Sequence, residues 1–298
     1  MKSSKQLIYV AGPTAVGKTA LSIALAEYFE TEIISCDSRQ FYKEMSIGTA
    51  IPSAEERSRI PHHFIHHLSI HDPYTVGDFE RDAIQLLDQL FKTKDVVIMV
   101  GGSGLYADAV LYGMDQFPPL TEEIREMLRN IYQSQGITKL QELLQENDPL
   151  YYQQVDKQNP ARLLRALEVC FTTKQPYSDF LGKSKPKRAF ESKIIVLERP
   201  RKELYERINS RVDYMLQQGL LAEVKSLIPY KLLSALHTVG YQELFPYLEG
   251  EQSFDESIDL IKRNSRRYAK RQITWLKKYK KAHFLAANTS VENIIAHL

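Results

Sequence analysis

Apolar positions along this chain follow two patterns. Four short, nearly unbroken runs, Leu7 to Val10, Glu32 to Cys36, Val96 to Val100 and Lys193 to Leu197, have the length and branched-aliphatic content of strands covered on both faces, as in a parallel sheet. Elsewhere apolar residues recur at helical spacing, first at Leu21, Ile23, Ala24, Leu25 and Phe29, which predicts a helix over Thr19 to Phe29. Strand, helix, strand, helix and strand within residues 1–114 predict the first part of an α/β core, a parallel central sheet in a three-layer fold. From 115 to 192 only helical patterns occur, at Ile124, Met127, Leu128 and Ile131, at Leu140, Leu143 and Leu144, and at Leu163, Leu164, Leu167 and Val169, so this segment reads as an all-helical insertion domain. Residues 193–298 resume the sheet and complete the core with two or three helices and a short strand at His283-Phe284-Leu285.

Between the first strand and the first helix stands Gly12-Pro13-Thr14-Ala15-Val16-Gly17-Lys18-Thr19. Glycines at its first and sixth positions allow a curl whose N–H groups point at a di- or triphosphate. Lys18 brings a cation to the terminal phosphates, and the Thr19 hydroxyl suits a Mg²⁺ ion. The helix behind it aims the positive end of its dipole at the same anion. Strand before and amphipathic helix after are the context this loop requires, and they make the fold P-loop NTPase-like. The loop names an anchor and leaves the reaction open, because kinases, NTPases and some transferases share it.

The second run delivers Asp37, Ser38, Arg39 and Gln40 to the carboxyl end of the sheet, beside the phosphate loop. The third ends in Gly101-Gly102-Ser103-Gly104, where an NTPase often carries the acid that holds Mg²⁺, so the acidic position has moved to Asp37. A glycine-rich strand end suggests backbone lying close to a substrate, with Ser103 touching phosphate or base. A kinase for a nucleoside or another small molecule would use the loop for ATP and Asp37 as base, and an RNA-binding ATPase switch is a third reading. The kinase leaves the glycine-rich strand end and the charge distribution unexplained.

That distribution is uneven. Of 39 basic side chains ten fall between Lys262 and Lys281, where no acid occurs, so the remaining 29 face 37 acidic ones. Ile261, Tyr268 and Trp275 recur every seven residues there, with Leu276 and Tyr279 beside them, so a helix would bury one stripe and present cations on its other faces. Interleaved aromatics and a phosphate loop elsewhere favour an RNA-backbone surface over a merely solvated face. With 43% hydrophobic residues the chain can build one large core and a smaller second unit. Its apolar runs are strand-sized and no signal-like segment opens it, so no membrane is expected. Cys36 and Cys170, far apart and only two, fit a reduced cytoplasmic setting. Histidines at 62, 63, 66, 67 and 71 match no familiar metal spacing.

Seven blocks carry a resemblance to a known family: GPTAVGKT at 12–19, ISCDSRQFYKEMSIGTA at 34–50, PHHFIHH at 61–67, VGGSGLY at 100–106, QNPARLLRALEV at 158–169, TVGYQEL at 238–244 and AKRQITW at 269–275. In this order they resemble the tRNA dimethylallyltransferases, also called tRNA isopentenyltransferases, almost from end to end. Two departures stand out: Ile51 replaces the lysine that usually follows GTA, and the stretch between Glu223 and Gly240 is short for the family. The resemblance implies transfer of a dimethylallyl group from dimethylallyl diphosphate to N6 of the adenine 3′ of the anticodon, with Mg²⁺ as cofactor and the protein acting as a monomer. It implies Asp37 as general base, with Ser103 and Arg211 as further catalytic groups and Arg207 the second choice for the arginine on the diphosphate. It implies tRNA contacts from Asp37, Ser38, Arg39, Gln40 and Ser103, from Arg125, Gln158, Asn159, Pro160, Ala161 and Arg162, and from Thr238, Val239, Gly240, Tyr241, Gln242 and Glu243. A base that undergoes chemistry must also leave its stack to reach such a pocket.

Overall fold

A computed structural model describes residues 5–115, 117–182 and 186–296. Six strands, β1 (Gln6–Ala11), β2 (Ile33–Ser35), β3 (His62–His63), β4 (Val96–Val100), β5 (Glu191–Glu198) and β6 (His283–Ala286), form one sheet in the order β3-β2-β4-β1-β5-β6. All five pairings are parallel. Period-two alternation explains why whole runs are apolar. Leu7, Tyr9 and Ala11 of β1 pack on one face with Phe79 and Leu87 of α3 (Val76–Leu90) and with Ala107 and Val110 of α4 (Gly104–Tyr112). Ile8 and Val10 pack on the other with Leu21 and Leu25 of α1 (Lys18–Tyr28) and Leu204 and Ile208 of α8 (Arg201–Gln217). These are the three layers.

The strands at Leu7, Ile33, Val96 and Ile194 and the short strand at His283 lie where the apolar runs predict them. The edge strand β3 has no such run and consists of two histidines. β1 is flanked by β4 and β5, so the crevice opens where the strand order turns outward, beyond the end of β1. A third cluster joins α8 to α9 (Leu220–Ser226), α10 (Leu244–Leu248) and α11 (Phe254–Leu276) through Val212, Val224, Tyr241, Leu244, Ile258 and Ile261.

The chain divides into two compact units, residues 1–111 with 188–298, and residues 112–187. The regular elements among the described residues of the second unit are helical, with α5 (Glu122–Asn147), α6 (Pro149–Gln154) and α7 (Pro160–Thr173) around Leu128, Leu140, Leu144, Leu163 and Leu167. The first two helical patterns fuse into α5 across a kink at Gly136, φ 74°. Asp148, buried, accepts from the Tyr151 and Ser178 N–H groups at 2.9 and 2.6 Å and from Ser178 Oγ at 2.8 Å, tying the start of α6 to the turn after α7.

Candidate active site

Gly12 leaves β1 at φ 151°, where an added Cβ would meet Val16 Cγ1 at 2.8 Å and the Leu197 carbonyl oxygen at 3.0 Å. Only glycine fits that exit. Gly17, at φ 118°, then starts α1. Thr14, Ala15, Gly17, Lys18 and Thr19 face a cleft of about 920 Å³, with Gly12, Pro13 and Val16 buried beneath them. Lys18 Nζ donates to the carbonyls of Gly12 and Pro13, both at 3.0 Å, leaving its third hydrogen for a ligand. Burial draws its pKa down to about 8, opposed by Asp37 and reinforced by Arg211.

Later helices hold the loop. Arg199 Nε donates to the Val16 carbonyl and Arg207 Nε to the Ala15 carbonyl, each at 2.8 Å. Arg211 Nη1 lies 3.5 Å from Thr14 Oγ1, and its guanidinium titrates lower because it is buried, with Asp37 acting in the opposite sense. Gln272 of α11 accepts from the Thr14 N–H at 2.8 Å and donates to the Gly102 carbonyl at 3.0 Å. Gly101 lines the main cleft as the glycine-rich strand end suggests, whereas the carbonyl of Gly102 is taken up by Gln272. A side chain at 102 would collide with the Gln272 amide, and one at 101 would meet Cys36 Sγ at 2.5 Å.

Asp37 follows β2, its N–H donating to Ser35 Oγ at 3.3 Å and its Oδ1 accepting from the Arg39 N–H at 3.3 Å. It lies in a wall shared by the main cleft and a second cavity of about 400 Å³. Thr14, Thr49, Ala50, Arg211 and Tyr268 share that wall. Ser38, Arg39, Thr238, Val239, Gly240, Gln242 and Arg271 are among the other residues lining the second cavity. Tyr268 reads in the sequence as core stripe. Instead it lines both cavities, and burial, with Asp37 second, pushes its pKa well up, so it stays a neutral phenol.

Several site expectations change. Ser103 lines neither cavity; its Oγ takes the Ser38 N–H at 3.1 Å and pairs with Ser38 Oγ at 3.1 Å, so it braces the Asp37 turn. Arg39 spends its guanidinium on the carbonyls of Ser234, Ala235 and His237 at 3.0, 2.8 and 3.4 Å. Gln40 lines the cleft but its amide bridges Ser35 Oγ at 3.0 Å to the Thr49 and Ala50 carbonyls at 3.3 and 3.1 Å. Tyr241 is fully buried and Glu243 is 5% exposed. Their side chains support the 238–242 loop and do not reach the cavity that loop lines. Sequence reasoning passed over Arg199 and gave Gln272 no role beyond its place in the AKRQITW block, since the partners of both are set by tertiary folding alone.

In the helical unit Asn159 caps α7, accepting from the Arg162 N–H at 3.3 Å, with Pro160 in the first turn. Gln158, Ala161 and Arg162 are exposed, whereas Arg125 pairs with Glu122 at 3.1 Å and Glu168 at 3.9 Å.

No group of three or more His, Cys, Asp or Glu among the described residues could hold a metal. His63 bonds Glu32 at 2.6 Å, and His67 sits among Phe41, Phe64 and Tyr74. A cation beside the phosphate loop would have the Thr19 hydroxyl as protein ligand and take its other oxygens from diphosphate and water. Mg²⁺ accepts that donor set, since it favours oxygen and keeps several waters.

A family model described as IPP transferase matches residues 40–279. The chain belongs to the tRNA dimethylallyltransferase family. It is 54% identical to a tRNA dimethylallyltransferase of Flavobacterium psychrophilum over 91% of both chains. A solved tRNA isopentenylpyrophosphate transferase of Bacillus halodurans superposes with a TM-score of 0.72 at 34% identity, covering 98% of this chain and 94% of that one. A eukaryotic dimethylallyltransferase solved acting on tRNA gives a TM-score of 0.85 at 27% identity, covering 98% and 78%. The family is one of prenyl-transferring enzymes, which disfavours the kinase alternative. No helix among the described residues is long and apolar enough to cross a membrane.

Proposed function

We propose that this dimethylallyltransferase family member moves the dimethylallyl group of dimethylallyl diphosphate onto N6 of the adenine 3′ of the anticodon in tRNA and releases diphosphate. The observation that carries the proposal is Asp37 in a wall shared by two cavities, one opening on the phosphate loop and the other on the 238–242 loop.

Adenine N6 is a weak nucleophile because its lone pair is delocalised into the ring. The allylic C–O bond breaks with both electrons leaving on diphosphate oxygen, the N6 pair bonds the allylic carbon, and the N6 proton passes to the Asp37 carboxylate. Lys18 and Arg211 face the growing negative charge on the departing diphosphate, in a site whose burial strengthens each contact. The Thr19 hydroxyl would hold a Mg²⁺ ion, which would supply further neutralisation of that charge. Ser103 serves by fixing the Ser38 turn, which keeps Asp37 aimed. The exposed cations Arg267, Lys270 and Arg271 of α11, and Arg162 of the helical unit, suit RNA phosphates. On this reading the enzyme works as a monomer in the reduced cytoplasm, with Cys36 and Cys170 as buried thiols.

The test is transfer of label from dimethylallyl diphosphate to bulk tRNA from a strain lacking the modification. One labelled adenosine per susceptible tRNA is expected. Rapid ATP hydrolysis without tRNA, with no label entering tRNA, would sink the reading.

A further inference from the structure

Neither cavity is lined by Glu223 or Tyr241. Yet the Glu223 carboxylate takes four hydrogen bonds. Its Oε2 accepts from the N–H groups of Ser46 and Ile47 at 3.0 and 2.8 Å, and its Oε1 accepts from the Gly48 N–H at 3.0 Å and from Tyr241 Oη at 2.6 Å. Three successive backbone N–H groups are gathered by one side chain that lies on α9, well over a hundred residues further along the chain. The next two residues, Thr49 and Ala50, are part of the wall shared by both cavities, and Ala50 is held at φ 47°. The Tyr241 ring closes the arrangement from the other side. It lies so near Gly48 that any side chain there would collide with it. Tyr241 belongs to the same loop as Thr238, Val239, Gly240 and Gln242, which line the second cavity.

We infer that Glu223 and Tyr241 are positioning residues for prenyl transfer: together they form a strut that sets the 46–50 loop, and with it the shared wall, relative to the loop bounding the second cavity. The inference rests on the proposed transferase reaction and extends it to two residues that touch neither substrate cavity. The chemistry of the strut needs an anion. All four partners are donors, so an amide at 223 has one oxygen that can accept and an NH₂ that opposes at least one N–H. Displacement of reacting groups by about 1 Å costs on the order of 10²-fold in rate even when the cause is remote from the chemistry.

The experiment compares the full-length protein with Glu223→Gln and Tyr241→Phe, measuring prenyl transfer to unmodified tRNA, inorganic pyrophosphate binding and thermal unfolding. Rates are normalised to the folded fraction well below the melting temperature. For Glu223→Gln the expected result is a fall in kcat of about 10- to 100-fold at saturating substrates, with pyrophosphate affinity within about threefold because the phosphate loop is untouched. Tyr241→Phe keeps the ring over Gly48 and removes one of the four bonds, so its kcat falls less than that of Glu223→Gln. A lower melting temperature with unchanged kcat per folded enzyme in both variants would make the strut merely structural and overturn the inference. If Glu223→Gln does not fold, Tyr241→Phe decides alone by the same kcat criterion. Failure of the wild type to prenylate tRNA would instead overturn the transferase reading, so the two failures are distinguishable.

Discussion

Asp37 and Lys18 stand within each other's field, but their substitution should produce different kinetic signatures. Loss of a proton acceptor removes a contribution made only as carbon–nitrogen bonding develops, so Asp37→Ala should lower kcat by about 10² to 10⁴ and leave pyrophosphate binding nearly intact. A collapse of pyrophosphate affinity together with Mg²⁺ dependence would make Asp37 a metal ligand. Lys18 touches phosphate both before and during departure, so Lys18→Ala should weaken pyrophosphate binding as well as slow transfer. Its titration adds a signed pH dependence. Burial lowers the pKa of Lys18 from 10.5 to about 8 in the free protein. Between those values the unfolded chain holds more protons than the folded one, and the stability of the free protein rises with pH. Bound diphosphate favours the ammonium, so binding takes up a proton above about pH 8, and affinity should fall by up to about tenfold per pH unit there. Lys18→Arg has no titration in that range. The difference between wild type and Lys18→Arg in pyrophosphate affinity from pH 7 to 10 isolates the lysine, because pyrophosphate's own protonation is common to both.

At the scale of elements, α11 shows how one helix divides its labour. Its core stripe was legible at Ile261 and Leu276, both buried, because heptad spacing of large apolar residues reports a helix face directly. Trp275, assigned to the same stripe, is 37% exposed, and Tyr268 faces the site. Gln272, polar and set among cations, carried no periodicity signal, only its place in the AKRQITW block, although its amide ties the phosphate loop to the end of β4. The basic residues also separate. Arg266 is partly buried, bonded to Asn209 Oδ1 at 2.6 Å and placed over the Tyr205 ring, whereas Arg267, Lys270 and Arg271 are exposed. Exchanging Lys270 and Arg271 together for Gln should weaken tRNA binding and flatten its salt dependence by up to about one log unit per lost phosphate contact. Arg266→Gln should instead lower the melting temperature and leave the salt slope alone. Titrating tRNA binding from low to moderate salt alongside thermal melts reads both. An unchanged slope in the Lys270/Arg271 variant would make this face a solvated one.

For the whole molecule, the central sheet was readable because β1, β4 and β5 are buried on both faces and therefore spelled out in aliphatic residues, while β3 pairs through two histidines at the edge and has no pattern to read. The helical spacing from Ile124 onward never gives way to alternation, and a compact helical unit spans 112–187, with the returning strand starting at Glu191. What stayed hidden were the long-range polar ties, Glu223 to residues 46–48 and Arg39 to residues 234–237, because no local periodicity marks residues that meet only after folding. The role of the helical unit turns on two arginines in different states. Arg162 is exposed in the first turn of α7, and Arg125 is occupied by Glu122 and Glu168. A contact to an RNA phosphate from a free guanidinium loses little on forming, but one from Arg125 must first give up acidic partners, of which the exposed Glu122 pair is worth less than about 1 kcal/mol. Arg162→Gln should therefore raise the KM for tRNA about 3- to 30-fold and reduce the salt slope by up to about one unit, with kcat and pyrophosphate affinity unchanged. Arg125→Gln should have a smaller effect on KM. If Arg162→Gln leaves both KM and salt slope as in the wild type, the helical unit does not grip RNA through the start of α7, and the cations of α11 must carry the electrostatic part of tRNA binding.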